Sequence, residues 1–253
     1  MENSEQILSC ILDAGEMLLT SGAEVSRVED TMSRMAVAYG FERADVLTIT
    51  ASVIVTARHK DGAVYTQTRR VTRRDTDMRR IEQVNALSRE VCAAPLPLAV
   101  LRGRIAAIAA APAGSALSQV MAYLVIAGSF AVFFGGSAWD GLAAMVCSLL
   151  LYAVMRGGAR VQLQPVVLTI VASAAMCLLA VGLTQIGVGQ NVDKIIIGNI
   201  MLLIPGIALV TALRDVINGD TISGLMGACE ALLRALAIAG GCALVLMRFG
   251  GGA

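Results

Sequence analysis

Arg214, Asp215, Asp220, Glu230 and Arg234 are ionisable residues in or beside stretches that are otherwise apolar, which makes them the first candidates for chemistry in this chain. An ionisable group within a membrane span costs several kcal/mol if it faces lipid, so such groups are expected to face the bundle interior and to pair. Glu230 and Arg234 stand at i,i+4, a spacing at which they could simply neutralise each other. The functional alternative is a polar pocket in which a carboxylate carries protons and an arginine holds a substrate carboxylate. Asn199, Thr211 and the backbone freed around Pro205 and Gly206 would supply neutral hydrogen bonds to it. The stretch that carries these groups runs uncharged for 19 residues, Ile195 to Leu213, long enough to cross most of a ~30 Å hydrocarbon layer. Proline in its middle removes a helix hydrogen bond and favours a kink or break, and the carbonyls so released need protein or a watered cavity.

Composition excludes several other classes. Apolar residues make up 57% and charged residues 15% of the chain, and residues 1–104 hold 14 of the 20 Lys+Arg and 14 of the 19 Asp+Glu. The chain therefore has two unlike parts, with the bilayer as solvent for the second. A net charge of +1 points to no acidic partner and no nucleic acid. The six cysteines show no CxxC and no metal-ligand spacing, and the single histidine, His59, reads as a surface residue. No metal and no cofactor is expected. There is no Ser-His-Asp set and no phosphate-cradling glycine loop, which weighs against a membrane-anchored enzyme. The N-terminus lacks a basic region followed by an apolar one, so a signal peptide is not expected and the first part should remain cytoplasmic.

Within that part, Ile7, Leu8, Ile11, Leu12, Leu18 and Leu19 fall at helical spacing from Ser4 to Thr20. Ser21-Gly22 stops this helix, and Ser21 with Glu24 has capping-box spacing for a second helix bearing Val25, Val28, Met32 and Met35. Asp30 and Arg34 can pair at i,i+4. Asp45–Arg58 is β-branched and roughly alternating, and Ala63–Val71 resumes after Lys60-Asp61-Gly62, which predicts a hairpin. A third helix covers Thr76–Val91. The basic run Arg69, Arg70, Arg73, Arg74, Arg79 and Arg80 has no interleaved aromatics and is interrupted by acids, so a solvated or headgroup-facing surface is the better reading than nucleic-acid binding.

Pro95 and Pro97 mark the boundary. Leu101–Ala111 carries Arg102 and Arg104 before an apolar run too short to span, which suggests an interfacial helix. Five segments have spanning length: about Ala116–Phe134, Trp139–Met155, Val166–Ile186, Ile195–Leu213 and Leu225–Met247. Arg156, Arg160 and Arg214 then lie on the cytoplasmic side and the C-terminus outside, as the positive-inside tendency requires. The expected fold is an α-helical polytopic membrane protein of about five transmembrane helices with an N-terminal cytosolic α+β domain. Its parts are a cytosolic domain at 1–94, a linker and interfacial helix at 95–113 and a transmembrane domain at 114–253.

Two sets of residues carry a resemblance. Gly15, Leu18-Leu19, Ser21-Gly22-Ala23-Glu24 and Arg27-Val28-Glu29, followed by the strand pair and Val84–Arg89, resemble the amino-terminal cytosolic domain of the threonine/serine exporter family, the ThrE and YjjP type. Ile197-Gly198, Leu203–Gly206, Arg214-Asp215, Gly219-Asp220, Ser223–Leu225 and Glu230–Leu232 are similar to that family's signature across the corresponding helices. The family pattern often has an asparagine before the arginine-aspartate pair and an arginine opening the last span, where this chain has Ala212 and Gly227. The resemblance implies export of a small polar metabolite, threonine or serine in the founding members, driven by the proton motive force across the inner membrane. It also implies a separate small multi-span subunit resembling the C-terminal half of the ten-span exporters, and for some short relatives a dicarboxylate cargo. A regulatory or scaffold subunit, whose spans only pack, is the remaining alternative.

Overall fold

The computed structural model describes residues 2–249 other than Arg73 and Ala113. Arg73 of the basic run and the C-terminus assigned to the outside therefore lie outside the described residues. The chain divides into two compact units, Met1–Ala113 with Gly206–Cys229, and Gly114–Pro205 with Glu230–Ala253.

The first unit begins with α1 (Glu2–Thr20) and α2 (Val25–Ala38), followed by β1 (Phe41–Ile49), β2 (Ser52–His59) and β3 (Val64–Arg70), then α3 (Met78–Ala93) and α4 (Leu98–Ala110). The strands form one antiparallel sheet in the order β1-β2-β3. The alternating run Asp45–Arg58 is thus two strands rather than one: Ile49 pairs with Ser52 across a reversal at Thr50-Ala51. The physical reason is length, since 14 residues of strand would overrun the seven of β3, whereas folding back gives β2 a partner on each edge. The pleat then turns Val53, Val55 and Ala57 inward, where they meet Leu8, Ile11 and Leu12 of α1, Met32 and Met35 of α2, and Ile81, Val84 and Leu87 of α3. Fully burying a side chain such as Leu8 or Met32 stabilises by roughly 1.5–3 kcal/mol. α4 contributes the stripe Leu101, Ile105 and Ile108 to the same core, with Arg104 paired to Glu90 at 2.9 Å and Arg102 bonded to Gln6 at 3.1 Å. Part of the basic run is engaged locally: Arg69 pairs with Asp13 at 3.0 Å, Arg80 lies 3.9 Å from Asp77, and Arg79 donates to the Pro112 carbonyl. His59 stacks edge-on against Phe41, 5.4 Å between centroids, with its Nδ1 3.2 Å from Asp61.

The helix α9 (Gly206–Ile217) and the first turns of α10 (Thr221–Phe249) complete this unit. Gly224 lets them cross closely, because a Cβ there would lie 2.6 Å from the Ala212 carbonyl oxygen and 2.7 Å from the Val216 nitrogen.

The second unit contains α5 (Ala116–Phe133), α6 (Ala138–Arg160), α7 (Pro165–Gln185), α8 (Val192–Ile200) and the rest of α10. Small residues make its core: Ala127, Ala131, Ala143, Ala144, Cys147 and Ala180 are all fully buried, the composition expected where helix backbones approach without bulky interdigitation. Among the described residues four helices, α5, α6, α7 and α10, are long and apolar enough to cross a membrane. The fifth segment expected from sequence, Ile195–Leu213, is not one helix but two, α8 and α9, separated at residues 201–205. Pro205 enforces this by lacking an amide hydrogen and clashing with the preceding turn. The nearby backbone is satisfied locally: the Leu203 and Ile204 amides both donate to the Ile200 carbonyl, at 2.8 and 3.0 Å.

Candidate functional site

The first unit brings together residues 190 or more positions apart. Gly22 adopts a left-handed backbone, φ 87°, at the reversal between α1 and α2. The turn is anchored to the start of α3, with Asp75 N donating to the Thr20 carbonyl at 2.8 Å and Asp77 N to that of Ser21 at 3.1 Å. The capping box expected from Ser21 and Glu24 does not form. Helix α2 starts at Val25 with Glu24 as its N-cap, and the Glu24 side chain makes no cap bond; Ser21 is buried with its hydroxyl unpartnered among the described residues. Because residues 21–23 are consumed in the turn, Ser21 sits too far back to reach the helix's free amides.

One of those amides is met instead by α9. The Val25 amide donates to Asp215 Oδ1 at 3.0 Å. On either side Arg214 pairs with Glu24 at 2.6 Å, and Asn218 Nδ2 donates to Ser26 Oγ at 3.2 Å. Three consecutive residues at the start of α2, its N-cap included, are thus held by three residues at the C-terminal end of α9, and a carboxylate sits where the helix dipole favours negative charge. Asp215 is 1% exposed and lies beyond the apolar run. Burial pushes its carboxyl above the usual carboxylate range, with the Asp220 and Glu24 charges adding to the rise and the Val25 amide and Arg74 opposing it. Glu29 is raised likewise by burial and by Asp220, against the pull of the Thr48 amide, which donates to its Oε1 at 2.7 Å.

Beside this contact lies a cleft of about 550 Å³ lined by Gly22, Ala23, Glu24 and Arg27 from α1–α2, Met78 and Ile81 from α3, and Gly206, Ile207, Val210, Thr211 and Arg214 from α9. Its walls are largely apolar, with a hydroxyl at Thr211, an ion pair at Glu24–Arg214, and Arg27. Arg27 is exposed and has no ion pair among the described residues. A cleft of this size, holding the Arg27 guanidinium, a paired carboxylate and guanidinium, and a hydroxyl, suits a small polar molecule.

The structure does not bring all the candidate residues here. Asn199 is fully buried in the second unit, where its Nδ2 donates to the carbonyls of Ala144 and Ile195 at 3.1 and 3.0 Å while its Oδ1 has no partner among the described residues. Pro205 lies at the break between α8 and α9. Glu230 is exposed and Arg234 half-buried, and they make no ion pair with each other among the described residues, so the i,i+4 neutralisation does not form. A residue that sequence reasoning passed over is Asp140. It is fully buried at the start of α6 and accepts from Ser137 N (2.7 Å), Ser137 Oγ (2.9 Å), Gln190 N (2.6 Å), Asn191 N (2.9 Å) and Asn191 Nδ2 (2.9 Å). The Ser137-x-x-Asp140 spacing was the available signal.

Among the described residues, four helices long and apolar enough to cross a membrane, with a core of small residues between them, fit a multi-pass membrane protein. The family match is specific: the ThrE family, described as "Putative threonine/serine exporter", covers residues 9–249, and the chain belongs to it. No curated protein and no solved structure matches the chain.

Proposed function

We propose that this protein is a component of a secondary-active exporter that carries a threonine- or serine-like amino acid out of the cytoplasm across the inner membrane. In this reading residues 1–94 face the cytoplasm, the C-terminus lies outside, transport is proton-coupled, and a small multi-span membrane subunit completes the pathway. The observation that carries it is the cleft: Arg27 is the free cation for the substrate carboxylate, Glu24 the anion for its ammonium, and Thr211 the hydrogen-bonding group between apolar walls. The cleft is then where cargo is collected from the cytoplasm. The test is to load cells with a threonine-containing dipeptide, or separately with succinate, and follow release with and without this chain and its companion subunit. Faster threonine release that depends on the chain supports the reading. Unchanged threonine release with faster succinate release transfers it to dicarboxylates, and no change in either overturns export.

A further inference from the structure

The contact between α2 and α9 has a property that the export reading does not require. Its central group, Asp215, is a buried carboxylate that accepts from the Val25 amide, whereas its flanking contacts, Arg214–Glu24 and Asn218–Ser26, are at the surface. Around it stand Glu24 on α2, Arg74 ahead of α3 and Asp220 in the α9–α10 return. Asp220 also acts on Glu29, which is fastened to β1 through Thr48. Three carboxylates, Asp215, Asp220 and Glu29, are therefore gathered where α9 meets α2, and separating the two helices would return Asp215 to water.

We propose that α2 and the C-terminal end of α9 form a proton-linked latch, closed when Asp215 and Glu29 hold protons and loosened when they are ionised. The Glu24–Arg214 pair of this latch is also a wall of the cleft, so its state sets how that wall is built. The regulatory meaning rests on the export reading; the latch itself does not.

The sign follows from linkage. Both carboxyls are raised above the ordinary range with the helices together, chiefly by burial, and opening the contact relieves the burial of Asp215 and its repulsion from Glu24, and parts Glu29 from Asp220. The closed form therefore binds protons more tightly than the open one. Closure must strengthen as pH falls from neutrality toward the ordinary carboxylate pKa, and weaken as pH rises through the raised value. Protonated Asp215 still offers an oxygen to the Val25 amide, so neutralisation does not remove the acceptor.

The experiment uses the full-length protein in detergent or nanodiscs, with exposed Cys92 and Cys229 replaced by serine and spin labels attached to V37C on α2 and I222C at the start of α10. Electron–electron distance distributions are recorded at pH 8 and pH 4.5. Wild-type protein should show at least a twofold rise in the short-distance population at the lower pH. The D215N variant, which keeps the acceptor without the charge, should lose most of that response at both pH values by staying closed, and D215N with E29Q should lose the rest. Identical wild-type distributions at the two pH values, or a full pH response retained in D215N, would overturn the latch. No substrate is involved, so failure here and failure of the efflux test are separate results.

Discussion

Asp140 and Asp215 are both buried aspartates at helix N-termini, yet they are built for different purposes. Asp140, in the second unit, caps its own helix and collects five donors from Ser137, Gln190 and Asn191. Such saturation fixes the charge and ties the loop after α7 to the start of α6. Asp215, in the first unit, caps a helix to which it is not joined and takes one backbone donor there. A carboxylate with every lone pair engaged is an anchor. One that is buried with few donors stays close to the cost of ionisation and can respond to pH.

The contrast is sharpest when each carboxylate is removed. Replacing Asp140 with alanine strands several donors in the low-dielectric interior, and a loss of about 3–5 kcal/mol is expected; D140A protein should be scarce in membranes and melt far below wild type. Abundance and melting equal to wild type would show that the anchor is not structural. The D215A variant removes a helix cap and is expected to cost about 0.5–2 kcal/mol, seen as a modest drop in thermal midpoint at unchanged abundance.

Glu29 refines the comparison from the pH side. Its carboxyl is raised in the folded unit, so protonation stabilises the fold as pH drops through the raised value toward the ordinary one, and the ionised form is a burden above it. The E29Q variant keeps an oxygen for the Thr48 amide and is expected to give a small rise in thermal midpoint at pH 8 that shrinks by pH 4.5. A gain that grows on acidification would reverse the sign argued here. The smallest effect belongs to the exposed Arg214–Glu24 pair: E24Q should change stability by about 0–1 kcal/mol, measured by the same melts.

Sequence alone reached some of this architecture and stopped for physical reasons. Pro205 announced the break between α8 and α9, because its effect is local and steric. Asp30–Arg34 formed as the spacing indicated, at 2.8 Å, since both ends lie on one helix. The Ser21–Glu24 box failed because a backbone turn at Gly22 consumed the residues it needed. Glu230 and Arg234 stand one turn apart without joining, as helical spacing permits contact and does not compel it. Asp215 on Val25 spans 190 positions, and no period or motif reports a partner so distant. The neighbouring Glu24–Arg214 pair does join two stretches that carry the family resemblance, Ser21–Glu24 and Arg214-Asp215.

The central claim is that the cleft between the α1–α2 turn and α9 receives the exported amino acid, with Arg27 as its unpaired cation. Binding of radiolabelled threonine to the purified full-length protein tests it directly, comparing wild type with R27A and with R234A, whose guanidinium lies outside the cleft. The account predicts at least tenfold weaker binding in R27A, about the worth of one charge-assisted hydrogen bond, and unchanged binding in R234A. Equal threonine affinity in wild type and R27A would contradict it.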